Sequence, residues 1–263
     1  MRKPAVATEA LCFRECLRFS LRHRRYFVIL LLLYGASLRR WGEMRAARFG
    51  YAFLQLYDDI MDGDRSCAQP PKHMAALTMA EWKSGVFIGD SDLSRLGEAF
   101  HQSLGDANEA KCDTLILLDL MRDDYARRTE RRLSSRVVLE KHLRDTFFHS
   151  VNLLFHGCGL KSRAKNVPAL VEALAWCSVV RDFADDAHKG LFNVPSEIAG
   201  DDTTQNIADQ PAVKTWLETE RTRGPALLQA CEVERETLAP TDPQAAKLAG
   251  VFAKSMRKYC TGR

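Results

Sequence analysis

The chain has 263 residues, 46% of them apolar, 27% charged and 9% aromatic, with a formal net charge of +4. Fifteen glycines and nine prolines fall below the usual ~7% and ~5%, which excludes a collagen-like, low-complexity or disordered chain. A sequence pI near 8.6 stays short of the value above about 9 that marks a dedicated nucleic-acid domain, so no nucleic-acid partner is expected.

Prolines at 4, 70, 71, 168, 195, 211, 225, 240 and 243 leave residues 5–69 and 72–167 free of the strongest helix breaker. Apolar residues recur there at three- and four-residue steps, with almost no two-residue alternation, so the chain reads as all-α. In chain order the expected helices are 7–21, 26–37, 41–62, 77–104, 107–129, 135–158, 167–188, 209–237 and 243–260, with a break at Gly224-Pro225 left open. Loops are expected at Asp64–Lys72 and Gly190–Thr204, with a short turn at Ala239–Pro243. None resembles an interdomain linker, so residues 1–263 are expected to form one domain.

The longest apolar run, Tyr26 to Ala36, has 11 residues, against about 20 for a spanning helix. Arg22, Arg24 and Arg25 ahead of it faintly suggest a signal peptide, but the charged lead is too long and the helical pattern continues beyond. A buried or membrane-grazing helix is expected, with no transmembrane segment and at most peripheral membrane contact. Eight scattered cysteines without a CxxC pair fit free thiols in a reducing, cytoplasmic setting.

Two segments carry chemistry: Tyr51-Ala-Phe-Leu-Gln-Leu-Tyr-Asp-Asp-Ile-Met-Asp62 and Ala175-Trp-Cys-Ser-Val-Val-Arg-Asp-Phe-Ala-Asp-Asp186. Ala47, Tyr51, Leu54, Asp58 and Asp62 follow steps of 4, 3, 4 and 4 residues, and Val171, Ala175, Ser178, Asp182 and Asp186 repeat them. Each Asp pair therefore extends an otherwise apolar helical stripe. Like charges at i, i+4 cost about 0.2–0.5 kcal/mol per pair, and acids near a helix C-terminus oppose the dipole by about 0.3–1 kcal/mol. Burial adds to the cost, and a cation relieves it. All-oxygen donors without His or Cys suit Mg²⁺. The plain alternative is a pair of solvated helix ends, and the recurrence of one pattern on two apolar helices weighs against it.

At these residues the sequence resembles the squalene/phytoene synthase family, the head-to-head branch of the all-α isoprenoid synthases. Tyr51-Ala52-Phe53 followed by Asp58-Asp59-x-x-Asp62 is similar to that family's first acidic motif. Arg181-Asp182-x-x-Asp185-Asp186, with Gly190 and Val194-Pro195, is similar to its second, and Met121-Arg-Asp-Asp124 to the acidic turn of its middle helix. The resemblance spans roughly residues 20 to 200. It implies an isoprenoid-synthase-type helical bundle around a central cavity, in which Asp58, Asp62, Asp182 and Asp186 hold Mg²⁺ on opposite walls and the metals bind the diphosphate of a prenyl substrate. It also implies that Arg181 helps to hold the diphosphate. Lys189 and Arg45 are expected to join it, and Tyr51, Gln55, Ser178 and Phe148 to line the cavity. Phe53, Tyr57 and Phe147 are further aromatic candidates, against a plain core role.

The departures bear on substrate. Leu54-Gln55 stands where the family has Cys-Arg, Ser178 where it has Asn, and Thr146-Phe147-Phe148-His149 where it has a run of small residues. The expectation is therefore a Mg²⁺-dependent prenyl transferase. It couples two prenyl diphosphates or, alternatively, passes one prenyl group to an aromatic acceptor. A third reading is a non-catalytic relative serving assembly. Participation of Asp59, Asp124 and Asp185, and the oligomeric state, stay open.

Two other patterns have plain readings. His142, His149 and His156 repeat every seven residues, about 10 Å apart on a helix, too far to share one ion through that helix alone. The run Arg127, Arg128, Arg131, Arg132 and Arg136 reads as a solvated helix end. The alternative is closure over a diphosphate, as for Arg39, Arg40, Arg45 and Arg48 near the first motif.

Overall fold

The computed structural model describes residues 6–23, 27–200 and 205–260; the expectations that fall on Arg24, Arg25, Tyr26 and residues 201–204 lie outside them. The fold is all-α, with eleven α-helices and no strand among the described residues. They are α1 (Val6–Arg22), α2 (Phe27–Ser37), α3 (Arg45–Met61), α4 (Pro71–Ser84), α5 (Asp92–Leu104), α6 (Asn108–Glu130), α7 (Arg136–Gly157), α8 (Pro168–Lys189), α9 (Ser196–Ala199), α10 (Pro211–Leu238) and α11 (Pro243–Met256).

Proline sets several of the starts. Pro71, Pro168, Pro211 and Pro243 each open a helix, where the missing N–H would be unpaired in any case. Pro225 by contrast sits inside α10, which runs unbroken past it.

The helix expected over 77–104 is two helices, α4 and α5. Gly85 ends α4 at a φ of +69°, the left-handed region that glycine enters without strain. The Glu81 carboxylate then gathers the intervening loop, accepting from the Ile88 and Gly89 amides and the Ser94 hydroxyl, each at 2.9 Å. Ser91 caps α5 by accepting from the Ser94 amide. Ser196–Ala199 likewise forms a single helical turn inside the expected loop after Gly190.

The chain packs as two compact units, residues 1–122 with 152–159 and residues 123–151 with 160–263; α6 and α7 run through both. In the first unit α3 lies along α5. Gly50 admits the Phe100 ring and Gly97 admits Phe53 and Phe87, since an added Cβ would meet those rings at 2.8–3.0 Å. Phe53 stacks on Trp82 with centroids 5.4 Å apart, and the buried Tyr57 donates its hydroxyl to the Leu118 carbonyl at 3.1 Å. Each such apolar side chain contributes about 1.5–3 kcal/mol on full burial.

In the second unit α10 packs against α8 and α11. Gly224 meets the Trp176 ring, whose indole N–H donates to the Glu220 carbonyl at 2.7 Å. Glu234 of α10 accepts from the Ala169 and Leu170 amides, satisfying two donors at the start of α8. Asp242 does the same for α11 through Ala245, and also holds the Lys161 and Ser162 amides and the Ser162 hydroxyl.

Candidate functional site

In the first unit the C-terminal half of α3 carries the first acidic pair. Phe49, Phe53, Leu56, Tyr57 and Ile60 form its buried face, while Tyr51, Leu54, Asp58 and Asp62 lie half-buried along its flank. Phe53 and Tyr57 are therefore core residues, the plain reading, because their rings are enclosed within the unit. Tyr51 meets Phe19 edge-on at 6.1 Å, and Gln55 is half-buried beside it.

Asp59 behaves differently from its neighbour. It is buried and lies 2.8 Å from the Arg22 guanidinium. Burial pushes its carboxyl above the usual range, while Arg22 and then His23 pull the other way. Its ligand-type atom, with those of His23 and Asp64, falls within a 4.8 Å cluster. Within that cluster Asp59 already has a cationic partner in Arg22.

Three of the arginines expected near the first motif lie away from it or are paired elsewhere. Arg45 opens α3, 13 residues before Asp58, or about 20 Å along the helix axis, so it drops out of the set around that pair. Arg48 is buried and structural: it donates to the Trp41 carbonyl at 2.8 Å, pairs with Glu9 at 3.2 Å, and stacks 3.7 Å over the Trp41 ring. Arg40 is paired with Glu43 at 2.6 Å.

In the second unit the last turns of α8 repeat the pattern. Val171 and Ala175 are buried, and Ser178, Asp182 and Asp186 continue the stripe half-buried. Gly190, at a φ of +89°, ends the helix. Arg181 turns back onto Asp182, its Nε 2.9 Å from both carboxylate oxygens. Asp186 accepts a hydrogen bond from Asn193 Nδ2 at 3.0 Å. These partners offset the like-charge cost on that face. Lys189 and Asp185 are exposed, and Phe148 is half-buried against His149 with centroids 5.4 Å apart.

Behind Asp186 lies a polar network that sequence reasoning missed. Asn193 is buried, and its Oδ1 accepts from Arg127 Nη2 at 3.1 Å. Arg127, also buried, donates to the Phe192 carbonyl at 3.1 Å and to Asp124 at 2.7 Å. His142 Nε2 sits 2.9 Å from Asp124. Arg127 is thus an internal strut and not part of a solvated helix end, while Arg132 pairs outward with Asp123 at 2.9 Å. Asn193 stands between Gly190 and Pro195, in a segment read as loop, and its spacing from Arg127 carries no periodic signal.

A shallow groove of about 350 Å³ between α10 and α11, lined by Arg235, Lys247, Lys254 and Arg257 among others, contains none of the expected site residues. All eight cysteines are free. No helix among the described residues is long and apolar enough to cross a membrane. Comparison of the chain with protein-family models, with curated proteins and with solved structures returns no match.

Proposed function

We propose that the chain is a cytoplasmic, Mg²⁺-dependent prenyl transferase of the isoprenoid-synthase type, with Asp58 and Asp62 of the first unit and Asp182 and Asp186 of the second as its metal-holding carboxylates. The observation that supports this most is the repeated placement: two Asp pairs, one turn apart, half-buried at the C-terminal ends of α3 and α8 on the flank of a core face. Such a placement is unfavourable for the helices themselves. The eight free thiols accord with a reducing compartment.

The donor set fits the metal. Ser178, Asp182 and Asp186 offer only oxygens along one helix face, the ligand type Mg²⁺ takes together with water and substrate phosphate. When bound, Mg²⁺ supplies the positive charge that stabilises a departing diphosphate. Arg181 pairs with Asp182 and would place a planar cation beside a diphosphate held at that carboxylate. Asn193 and Arg127 fix the orientation of Asp186. In the reaction the allylic C–O bond breaks, a C–C bond forms to the acceptor, the acceptor carbon loses a proton, and diphosphate leaves.

Two acceptors are consistent with these residues. Coupling of two prenyl diphosphates is the family-type reaction. Transfer to an aromatic acceptor is favoured by Gln55, an uncharged side chain on α3 where an arginine would serve a second diphosphate. Incubation with Mg²⁺ and dimethylallyl, geranyl, farnesyl or geranylgeranyl diphosphate, followed by mass spectrometry, tests the proposal. A product made of prenyl units alone supports coupling, and consumption only after adding an acceptor extract supports transfer. Absence of diphosphate release with every donor, with and without the extract, favours a non-catalytic assembly role.

A further inference from the structure

Helix α2 is apolar on every side, FVILLLLYGAS, yet the first unit covers only part of it. Leu30 and Ser37 are buried, and Tyr34 packs edge-on against Phe13 of α1 at 5.1 Å. The opposite face is open: Val28 is 60% exposed, Leu31 58% and Leu32 50%, with Leu38 and Trp41 continuing it past the helix end. A contiguous aliphatic face of this kind is uncommon on a soluble surface and marks an interaction site.

The charge around it says what covers it. Residues 18–48 hold eight arginines and a single carboxylate, Glu43; Arg18, Arg22, Arg40 and Arg48 are taken up by Glu15, Asp59, Glu43 and Glu9, which leaves Arg24, Arg25, Arg39 and Arg45 as the surplus in sequence. The whole chain carries only +4, so the chain outside residues 18–48 is net acidic by three. The surplus flanks the apolar helix in sequence, with Arg24 and Arg25 before it and Arg39 and Arg45 after it. Arg39 is exposed one residue beyond Leu38. A second copy of this chain would bring the same cations against themselves, whereas an anionic bilayer surface complements both the aliphatic face and its basic flanks.

The helix is 11 residues long, about 16 Å, against a hydrocarbon core of about 30 Å. It is too short to span that core.

We infer that the exposed face of α2, Val28, Leu31, Leu32 and Leu38 with Arg39 at its rim, docks the protein onto an anionic lipid surface. This stands independently of the prenyl-transfer reading, because no residue of the acidic motifs takes part.

Flotation of the full chain with vesicles tests it. The probes are phosphatidylglycerol mixed with phosphatidylcholine, and phosphatidylcholine alone. The wild type is expected to float with the anionic vesicles and to bind neutral ones at least tenfold more weakly. Binding to the anionic vesicles should fall similarly at ~1 M salt, where the Debye length is about 3 Å. Leu31→Gln with Leu32→Gln should lower anionic-vesicle binding at least tenfold with little change in the thermal midpoint, since half or more of each residue is already exposed. Arg39→Glu should weaken binding to the anionic vesicles several-fold while leaving the neutral ones unaffected. Failure of the wild type to float with anionic vesicles overturns the inference, as does undiminished binding by the double variant. Self-association abolished by the double variant, without any vesicle binding, assigns the face to a second copy and overturns it equally.

Discussion

Asn193 donates from its amide nitrogen to Asp186 at 3.0 Å and accepts at its amide oxygen from Arg127 at 3.1 Å, so the carboxylate at the end of α8 is tied to a buried guanidinium through one side chain. Asn193→Leu removes both links while keeping the volume. If Asp186 holds metal, this variant should lose at least tenfold in turnover and need a higher Mg²⁺ concentration for half-maximal rate, because the ligand is no longer pre-oriented. Circular dichroism should show the helical content retained. A rate that falls without any change in Mg²⁺ dependence would assign Asn193 a purely structural role.

Arg127 supports more than the site. Replacing it with Met leaves the Phe192 carbonyl and the Asn193 amide oxygen without their buried donor and Asp124 without its guanidinium. The expected loss is about 2–4 kcal/mol, read as a lower urea midpoint. A change within about 0.5 kcal/mol would show the network to be dispensable.

Asp242 gives a pH signature. Burial alone would raise its carboxyl, but donors from Ala245, Ser162 and Lys161 outweigh that and hold it below the usual carboxylate range. Because the folded group is the stronger acid, its contribution is complete above the unfolded value of about 3.9 and is lost as pH falls through the lower folded value. Asp242→Asn should therefore lower the thermal midpoint at pH 7, and the gap to wild type should narrow steadily below pH 4. A gap that stays constant from pH 7 to pH 3 would contradict the assignment.

At Gly224, α10 lies directly against the Trp176 ring of α8. A Cβ there would sit 2.4 Å from the Trp176 ring and 2.8 Å from Cys260 Sγ, and the ring is held by its bond to the Glu220 carbonyl. Gly224→Ala should cost about 1–3 kcal/mol through forced displacement of the indole, against the small gain Ala ordinarily brings to a helix interior. Thermal unfolding would show the sign directly.

Much of the fold is legible in the sequence. The proline-free stretches and three-to-four periodicity located most of the helices, and Pro71, Pro168, Pro211 and Pro243 opened four of them because a helix start tolerates a missing N–H. The division of residues 77–104 into α4 and α5 was hidden, since both halves keep apolar periodicity and the loop depends on one carboxylate, Glu81, folding back onto it. Helical spacing placed the Asp58/Asp62 and Asp182/Asp186 pairs on single faces. It could not reveal that Arg127 is an internal strut, because its partners Phe192 and Asn193 lie 65 and 66 positions away. Nor could it tell that Arg48, in a basic stretch, is sealed beneath Trp41.

The most direct test of the functional account is diphosphate release from an allylic prenyl diphosphate, measured with Mg²⁺ and with excess chelator, for the wild type and for Asp58→Asn and Asp182→Asn. The account predicts Mg²⁺-dependent release by the wild type, abolished by chelator, with each variant at least a hundredfold slower at unchanged helicity. Release by either variant at the wild-type rate, or an equal rate in chelator, would contradict it.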